Sequence, residues 1–321
     1  MSYEVVYANK YDLSELIEDL SLEESLEEIA YCTNMRLVVM PDLPKISPGQ
    51  EIRIAGIPFG KTRKENLLNP GVVWECNSVN TGRKHLNITA YEKTIYLAKS
   101  EDERLMPAGQ TATQRIKQYA KEWGIPVGNI VDTGEELARN IKRSQTIMSM
   151  ILEDLKETVY KGGSMYRLRM TERGLELFEI GGNSVVWELE SIEEVTQNRT
   201  LEGAITKVKV IGPQESENSV SEPLAVMSKD TDKYGTLQKL IMDNKIETKD
   251  QAKQAATKAL LGLQETFSVT ALDINTIRAG DRVRLNGLEL IVTKVRHQLG
   301  YPGRMDLELA AENKVRRDYL A

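Results

Sequence analysis

Two stretches, Pro48-Gly49-Gln50-Glu51-Ile52-Arg53-Ile54 and Ala279-Gly280-Asp281-Arg282-Val283-Arg284-Leu285, repeat one order of residue types. After the glycine, each has a polar residue, a charged residue, a β-branched residue, an arginine and an aliphatic residue. A glycine followed by such alternation is typical of a turn that opens a half-buried strand. The chain therefore carries a similar turn and strand near both of its ends.

The segments that follow also correspond. Residues 72–79 precede an alternating run at 86–90, and residues 288–295 precede another at 305–309. We therefore predict two similar β-modules that superpose, with the strand positions paired as Ile52 with Val283, Ile54 with Leu285, and Ile88 with Leu307. The alternative is that two antiparallel meanders look alike without a duplication.

Composition places the chain among water-soluble globular proteins of two or three domains. It has 321 residues, 40% hydrophobic and 28% charged, with a formal net charge of −6. The acidic balance argues against stable nucleic-acid binding, which needs a basic face. No apolar run is long enough to span a bilayer, and the first residues lack the pattern of a secretory signal, so we expect no membrane insertion and synthesis in the bacterial cytoplasm.

The order of patterns predicts an α+β protein. Residues 1–105 are expected to be mostly strands, residues 106–195 a middle α+β domain, and residues 196–321 a second region of strands. A helical insertion at 235–264 is expected to interrupt this second region and to pack on the middle domain. Capping boxes at Thr111-Ala112-Thr113-Gln114 and Thr248-Lys249-Asp250-Gln251 predict helix starts. Trp123 closes the apolar face of the first helix, so we expect it to be buried. After the insertion, the chain is expected to return to strands from Thr266 to its end.

The two modules differ in one loop. The first predicted strand and the next are joined by Asn286-Gly287 in the C-terminal copy, a strong hairpin signal. In the N-terminal copy a long loop runs from Ala55 to Gly71. It carries Lys61, Arg63 and Lys64, which makes it a candidate partner-contact loop or, alternatively, a tolerated surface insertion.

No catalytic, cofactor or metal motif is found. The chain lacks glycine-rich phosphate loops, zinc-binding helix motifs and nucleophile elbows. Its two histidines, His85 and His297, fall within the predicted β-modules without a supporting group, which favours a structural role. Cys32 and Cys76 favour reduced thiols, since both are far apart in a cytosolic chain. We therefore predict no enzyme activity, no cofactor and no metal.

Several segments, in this order, resemble the hub proteins of contractile phage tails, of the kind found in defective prophages and phage-tail-like bacteriocins. The segments that carry the resemblance are Ile88-Thr89-Ala90-Tyr91, Tyr96-Leu97, Trp123-Gly124-Ile125-Pro126, residues 205–212, Tyr234-Gly235, Arg278-Ala279-Gly280-Asp281, Val295-Arg296-His297 and Met305-Asp306-Leu307.

The resemblance implies two homologous tube-type barrels per chain and a homotrimer whose six barrels form a pseudo-sixfold ring. Such a ring would join the tail tube protein to a separate spike protein within the baseplate of a phage or tail-like particle. Baseplate wedge proteins would be further partners, and the tape-measure protein another candidate. Two other readings remain open at this stage: a different baseplate adaptor, or a tail-associated cell-wall hydrolase.

Overall fold

A computed structural model describes residues 3–27, 30–80, 82–190, 192–212, 222–242, 246 and 248–320. The chain folds into two compact units, and the first comprises residues 1–196 together with 268–321. Residues 197–267 form the second unit. The expected α+β class is confirmed, since antiparallel strands dominate and a few helices accompany them.

The N-terminal part of the first unit is a run of antiparallel strands. Their alternating burial follows from the period-two patterns in the sequence, with aliphatic side chains turned inward. The strands are β1 (Tyr3–Tyr7), β2 (Tyr11–Asp12), β3 (Ile17–Ser25), β4 (Cys32–Val38), β5 (Glu51–Gly56), β6 (Glu65–Asn80) and β7 (Lys84–Glu92), with a 3-10 turn at Ser14–Leu16.

Helices then alternate with short strands. The capping box predicted at Thr111 is formed, and the helix it begins packs against a second, longer helix. The elements are α1 (Ile95–Lys99), β8 (Glu101–Met106), α2 (Ala112–Glu122), β9 (Val127–Ile130), β10 (Asn140–Thr146), α3 (Ile147–Tyr160), β11 (Tyr166–Thr171), β12 (Gly174–Glu179), β13 (Trp187–Glu188) and β14 (Ile192–Thr200).

The second unit has its own small core. Its capping box at Thr248 is also formed, and the alanines of the helix pack on strand residues Val208 and Val210. Its elements are β15 (Lys207–Ile211), β16 (Pro223–Ser228), α4 (Thr231–Tyr234), β17 (Gln238–Met242) and α5 (Lys249–Ala259). The last elements of the chain are β18 (Gln264–Leu272), β19 (Arg282–Leu285), β20 (Leu288–Gln298), β21 (Arg304–Ala310) and α6 (Glu312–Leu320).

Most strands belong to one large sheet. Its order is β14-β18-β21-β20-β3-β4-β7-β6-β5-β1-β2, and β19 and β13 join it beside β20. The apolar core of the N-terminal strands is separate from the core around α2 and α3. The sheet therefore runs without a break from strands near the end of the chain to strands near its beginning.

Four predictions from the sequence are wrong. Residues 238–242 form the strand β17, which pairs in parallel with β15, so the segment 235–264 is not wholly helical. The loop expected at 55–71 ends at residue 64, where β6 begins. The chain ends in α6 instead of a strand, with Val315 buried. Trp123 is only half-buried, since it stands at the C-terminal end of α2.

Candidate assembly site

The two glycine turns quoted above make the same backbone hydrogen bonds. The Gly49 N–H donates to the carbonyl of Val73 (2.8 Å), and the Val73 N–H donates back to Gln50 (2.9 Å). The Gly280 N–H donates to the carbonyl of Val292 (2.7 Å), and the Val292 N–H donates to Asp281 (2.9 Å). Both glycines have a left-handed φ, +87° and +92°, which a residue with a Cβ adopts only under strain.

The strand registers continue the correspondence. Ile52 lies opposite Gly71 and Val283 lies opposite Leu290. Gly71 and Leu290 each stand two residues before the matched valines, Val73 and Val292. Both long strands then contain an irregularity directly after that valine.

Beyond the irregularity, Ile88 lies opposite Cys76, and Leu307 lies opposite Val295, each three residues after the matched valine. The pairs Ile52–Val283 and Ile88–Leu307 therefore occupy matching ladder positions, whereas Ile54 and Leu285 do not, because a register shift follows Ile52. All six of these side chains are buried: Ile52, Ile54, Ile88, Val283, Leu285 and Leu307.

The order of strands repeats as well. Around the first glycine turn the sheet order is β3-β4-β7-β6-β5-β1, and around the second it is β14-β18-β21-β20-β19-β13. The last strands of the two series differ, since β1 is antiparallel to β5 and β13 is parallel to β19. Within one chain the two series meet where β20 pairs with β3.

A buried ionic cluster lies beside this junction. The Arg278 guanidinium donates to both carboxylate oxygens of Glu24, at 2.6 and 2.9 Å, and it stacks on the Tyr31 ring at 3.7 Å. The Ala279 N–H donates to the same carboxylate at 3.0 Å. Glu92 lies 3.5 Å from Arg278. The cluster ties β3 to the turn before β19, and thus links the two strand series.

The pKa values of the two carboxyl groups in this cluster, Glu24 and Glu92, are shifted in opposite directions. Burial alone would raise the pKa of Glu24, but the charge and hydrogen bonds of Arg278 outweigh it and lower the pKa to about 2. Burial raises the pKa of Glu92. The contact of Glu92 with Arg278, at 3.5 Å, is longer than that of Glu24 and does not outweigh the effect of burial. Glu24 is therefore the anion that this cluster is built around.

The basic loop predicted to contact partners is exposed. Lys61 forms an ion pair with Glu65 (2.6 Å), and Lys64 forms one with Glu4 (3.1 Å). Arg63 is exposed and forms no ion pair with any described residue. The loop is thus partly neutralised by its own module, and Arg63 is its most available cation.

The histidines and cysteines have structural surroundings. His297 is fully buried, with Nδ1 at 2.7 Å from Asp273 and Nε2 at 2.8 Å from the Ile277 carbonyl. His85 lies 3.3 Å from Glu18. Cys32 and Cys76 are not joined in a disulfide, and burial raises the pKa of the Cys76 thiol.

The requirements for a metal site and for a membrane-spanning helix concern the side chains and helices in the described part of the chain. Its His, Cys, Asp and Glu side chains form no group suited to holding a metal ion. Each of its helices is too short or too polar to cross a bilayer.

The fold is that of phage tail proteins. The chain matches over its full length the 43 kDa tail protein of prophage MuSo2 from Shewanella oneidensis, with a TM-score of 0.74 and 13% identity, and it covers 100% of that chain. It matches 99% of a tail protein from Neisseria meningitidis MC58, over 99% of its own length, with a TM-score of 0.70 and 13% identity. These proteins are described as tail proteins and not as enzymes. The expected resemblance to phage-tail proteins is confirmed.

The chain belongs to the YqbQ-like family, whose model matches residues 33–310. It is 26% identical over 269 residues to the uncharacterized protein YqbQ of Bacillus subtilis, covering 78% of this chain and 80% of that one. It is also 30% identical over 155 residues to the phage-like element PBSX protein XkdQ of the same organism, covering 48% of this chain and 47% of that one.

Proposed function

We propose that the chain is the structural hub of a contractile phage tail or tail-like particle. Three copies form a closed ring of six similar modules, and the ring joins the tail tube to a separate spike protein. In this proposal residues 1–105 and 196–321 are the two tube-type barrels, residues 106–195 are the middle domain, and residues 235–264 interrupt the second barrel.

The repeated turn, register and strand order within one chain carry this proposal. A chain with two similar modules offers two similar sets of edges, and three such chains offer six. A threefold assembly of this kind can meet a sixfold tube on one side and a threefold spike on the other. A chain with a single module would need six copies to do the same.

The fold relationships support an assembly role. The structure of the Escherichia coli c3393 protein matches 92% of this chain with a TM-score of 0.55 and 10% identity, and the match covers 74% of that protein. The c3393 protein is described as a type VI secretion component with structural similarity to the T4 tail proteins gp27 and gp5. A complex of Francisella PdpA with VgrG matches 96% of it with a TM-score of 0.58 and 9% identity, covering 52% of that chain. Such neighbours make tail and spike proteins the partners that the proposal names first.

The loop with Lys61, Arg63 and Lys64 is the proposed contact for a neighbouring tail or wedge protein. Because Arg63 has no ion pair among the described residues, an acidic partner surface would satisfy it. Reversal of its charge in Arg63→Glu should weaken binding of the tube protein, whereas Lys61→Gln should change it little. Equal binding by both variants would remove this loop from the interface.

The mass of the assembled chain tests the proposal directly. We expect native mass spectrometry at rising concentration, alone and with the tail tube protein, to give a species of three copies. A stable species of six copies would favour a different baseplate adaptor. A chain that stays monomeric with the tube protein present would contradict a hub.

A further inference from the structure

The sequence of strand β14 is similar to that of strand β3. Ile192-Glu193-Glu194-Val195-Thr196 repeats the residue types of Ile17-Glu18-Asp19-Leu20-Ser21, and both strands are nine residues long. Their surroundings differ, because β3 has four fully buried positions from Leu20 to Glu24, whereas β14 has none among its described residues. The side chains of β3 are thus largely buried, whereas those of the similar strand β14 are exposed or half-buried.

The contacts of the two strands agree with this alignment. Glu18 in β3 lies 3.3 Å from His85, and Glu193 in β14 forms an ion pair with Arg304. His85 and Arg304 are matched positions, since each lies three residues before the matched pair Ile88 and Leu307. Glu193 therefore stands in its module where Glu18 stands in the other.

β3 is covered on its outer side by the long strand of the second series. β20 pairs with it antiparallel, with Gln298 opposite Ser21, Arg296 opposite Glu23 and Lys294 opposite Ser25. The Leu299 N–H donates to the carbonyl of Leu20 at 2.9 Å. β3 and β20 thus form a junction between the two modules inside one chain.

The matching segment of the other long strand has one edge with which no described strand pairs. In β6 this segment is residues 75–80, which pairs with β7 on one side, and no described strand pairs with it on the other. Most of its side chains are exposed, and Val79 is 38% exposed. β14 ends the sheet order, so its outer edge is equally unpaired within the described residues.

We infer that β14 of one copy pairs antiparallel with residues 75–80 of β6 in the next copy. The register copied from the β20–β3 junction places Val79 opposite Thr196, Asn77 opposite Asn198, and Glu75 opposite Thr200. The inference rests on the proposed function and deepens it, since it names the strands through which the copies meet. A second copy is the occupant because the chain already contains this junction once.

Charge and geometry suit such a pairing. Unpaired strand edges are sites where another strand adds, so the pairing removes both edges at once. The register sets no like charges face to face, since Glu75 would lie opposite Thr200 and Arg199 opposite Cys76. The contact is head-to-tail, because two different strands meet, and such contacts close into a ring or grow into a fibre.

Cysteine cross-linking tests the register. Asn77 and Asn198 fall at a position without direct ladder hydrogen bonds, where Cα atoms of facing strands approach to about 4.5 Å, within reach of a disulfide. We expect the double variant Asn77→Cys with Asn198→Cys to give disulfide-linked trimers under mild copper–phenanthroline oxidation, seen on non-reducing gels. Asn77→Cys with Gln197→Cys is the matched control, since Gln197 points to the other face, and the native chain gives the background of Cys32 and Cys76.

The outcomes separate this inference from the proposed function. Trimers by native mass spectrometry without the Asn77–Asn198 cross-link, or with equal cross-linking in the Gln197 control, would overturn the inference and leave the hub standing. Absence of any oligomer, with the tube protein present, would overturn both. A mixture of the two single variants should give cross-linked dimers only, since each such chain carries one half of the junction.

Discussion

At the scale of single residues, the most constrained group is the carboxylate of Glu24. It accepts hydrogen bonds from both arms of Arg278 and from the Ala279 N–H, with almost no exposure to solvent. A buried charge with its partner removed is costly, because the remaining charge has neither water nor a counter-ion. The junction between the two strand series is therefore stable only while this pair is complete.

Glu24→Gln should lower the free energy of unfolding by roughly 3–5 kcal/mol at pH 7, measured by urea denaturation, because it removes the carboxylate hydrogen-bonded to buried Arg278 and leaves only the longer contact with Glu92. Glu23→Gln is the matched control, since the neighbouring Glu23–Arg296 pair is partly exposed and should cost less than about 1 kcal/mol. Similar losses in both variants would contradict the assigned role of Glu24.

The same carboxyl gives a pH dependence. Its pKa falls on folding from its ordinary value to about 2, so its contribution to stability is complete above about pH 4.5 and is lost as the pH falls towards 2. The difference in unfolding free energy between the native chain and Glu24→Gln should therefore shrink over this window. A difference that stays constant from pH 7 to pH 3 would contradict the lowered pKa.

The two turn glycines provide a second test at this scale. Both have a left-handed φ, so alanine should cost about 1–2 kcal/mol at either position. A Cβ at Gly280 would also lie 3.1 Å from the Phe178 ring, whereas a Cβ at Gly49 would meet no atom within 4 Å. Gly280→Ala should therefore lower the melting temperature more than Gly49→Ala. The reverse order would contradict the packing described for the second turn.

The sequence could predict residues whose role follows from local pattern, and it could not predict this cluster. The alternation around Ile52 and Val283 places both in a core, and both are buried. Glu24 is one of 48 acidic residues, and nothing in its neighbours distinguishes a buried carboxylate from a solvated one. Its partner Arg278 lies 254 positions away, so only the fold brings the two together.

At the scale of elements, both helix starts with capping boxes behave alike. The Gln114 N–H donates to Thr111 Oγ1 at 3.3 Å, and the Gln251 N–H donates to Thr248 Oγ1 at 3.2 Å. Each hydroxyl thus satisfies an amide that the first turn of a helix leaves without a partner. Local sequence was sufficient to predict both starts.

Thr111→Ala and Thr248→Ala should each cost about 1 kcal/mol of helix stability. Hydrogen exchange read residue by residue should show the effect of Thr111→Ala at the start of α2, and that of Thr248→Ala at the start of α5. Thr111→Ser and Thr248→Ser are the controls, since serine keeps the hydroxyl. Unchanged exchange in both alanine variants would contradict the capping role.

Elements without a distinctive pattern were not predicted correctly. The residues of β17 include Leu240 and Ile241, whose spacing from Leu237 fits a helix face as well as a strand. β14 is exposed along its described length, so it shows no alternation of apolar and polar residues. The helix α6 buries Val315 in a cluster with Ile180 and Ile291, a tertiary contact that a charged tail does not reveal. Its Lys314 and Arg317 pair locally with Asp318.

At the scale of the whole molecule, the central feature is a glycine turn and a strand order that occur twice in one chain. The repeated turn, ladder register and strand order give each half of the large sheet a similar set of edges. One such edge pair is already joined inside the chain, where β20 meets β3. Repetition of that junction between chains would close a ring of six modules from three copies.

Cryo-electron microscopy of the assembled ring, viewed along its axis with the tail tube protein bound, tests this central claim most directly. We predict three copies per ring, with six similar modules around the axis and β14 of each copy beside β6 of the next. Six copies per ring, or a ring in which one module of each chain lies outside it, would contradict the account.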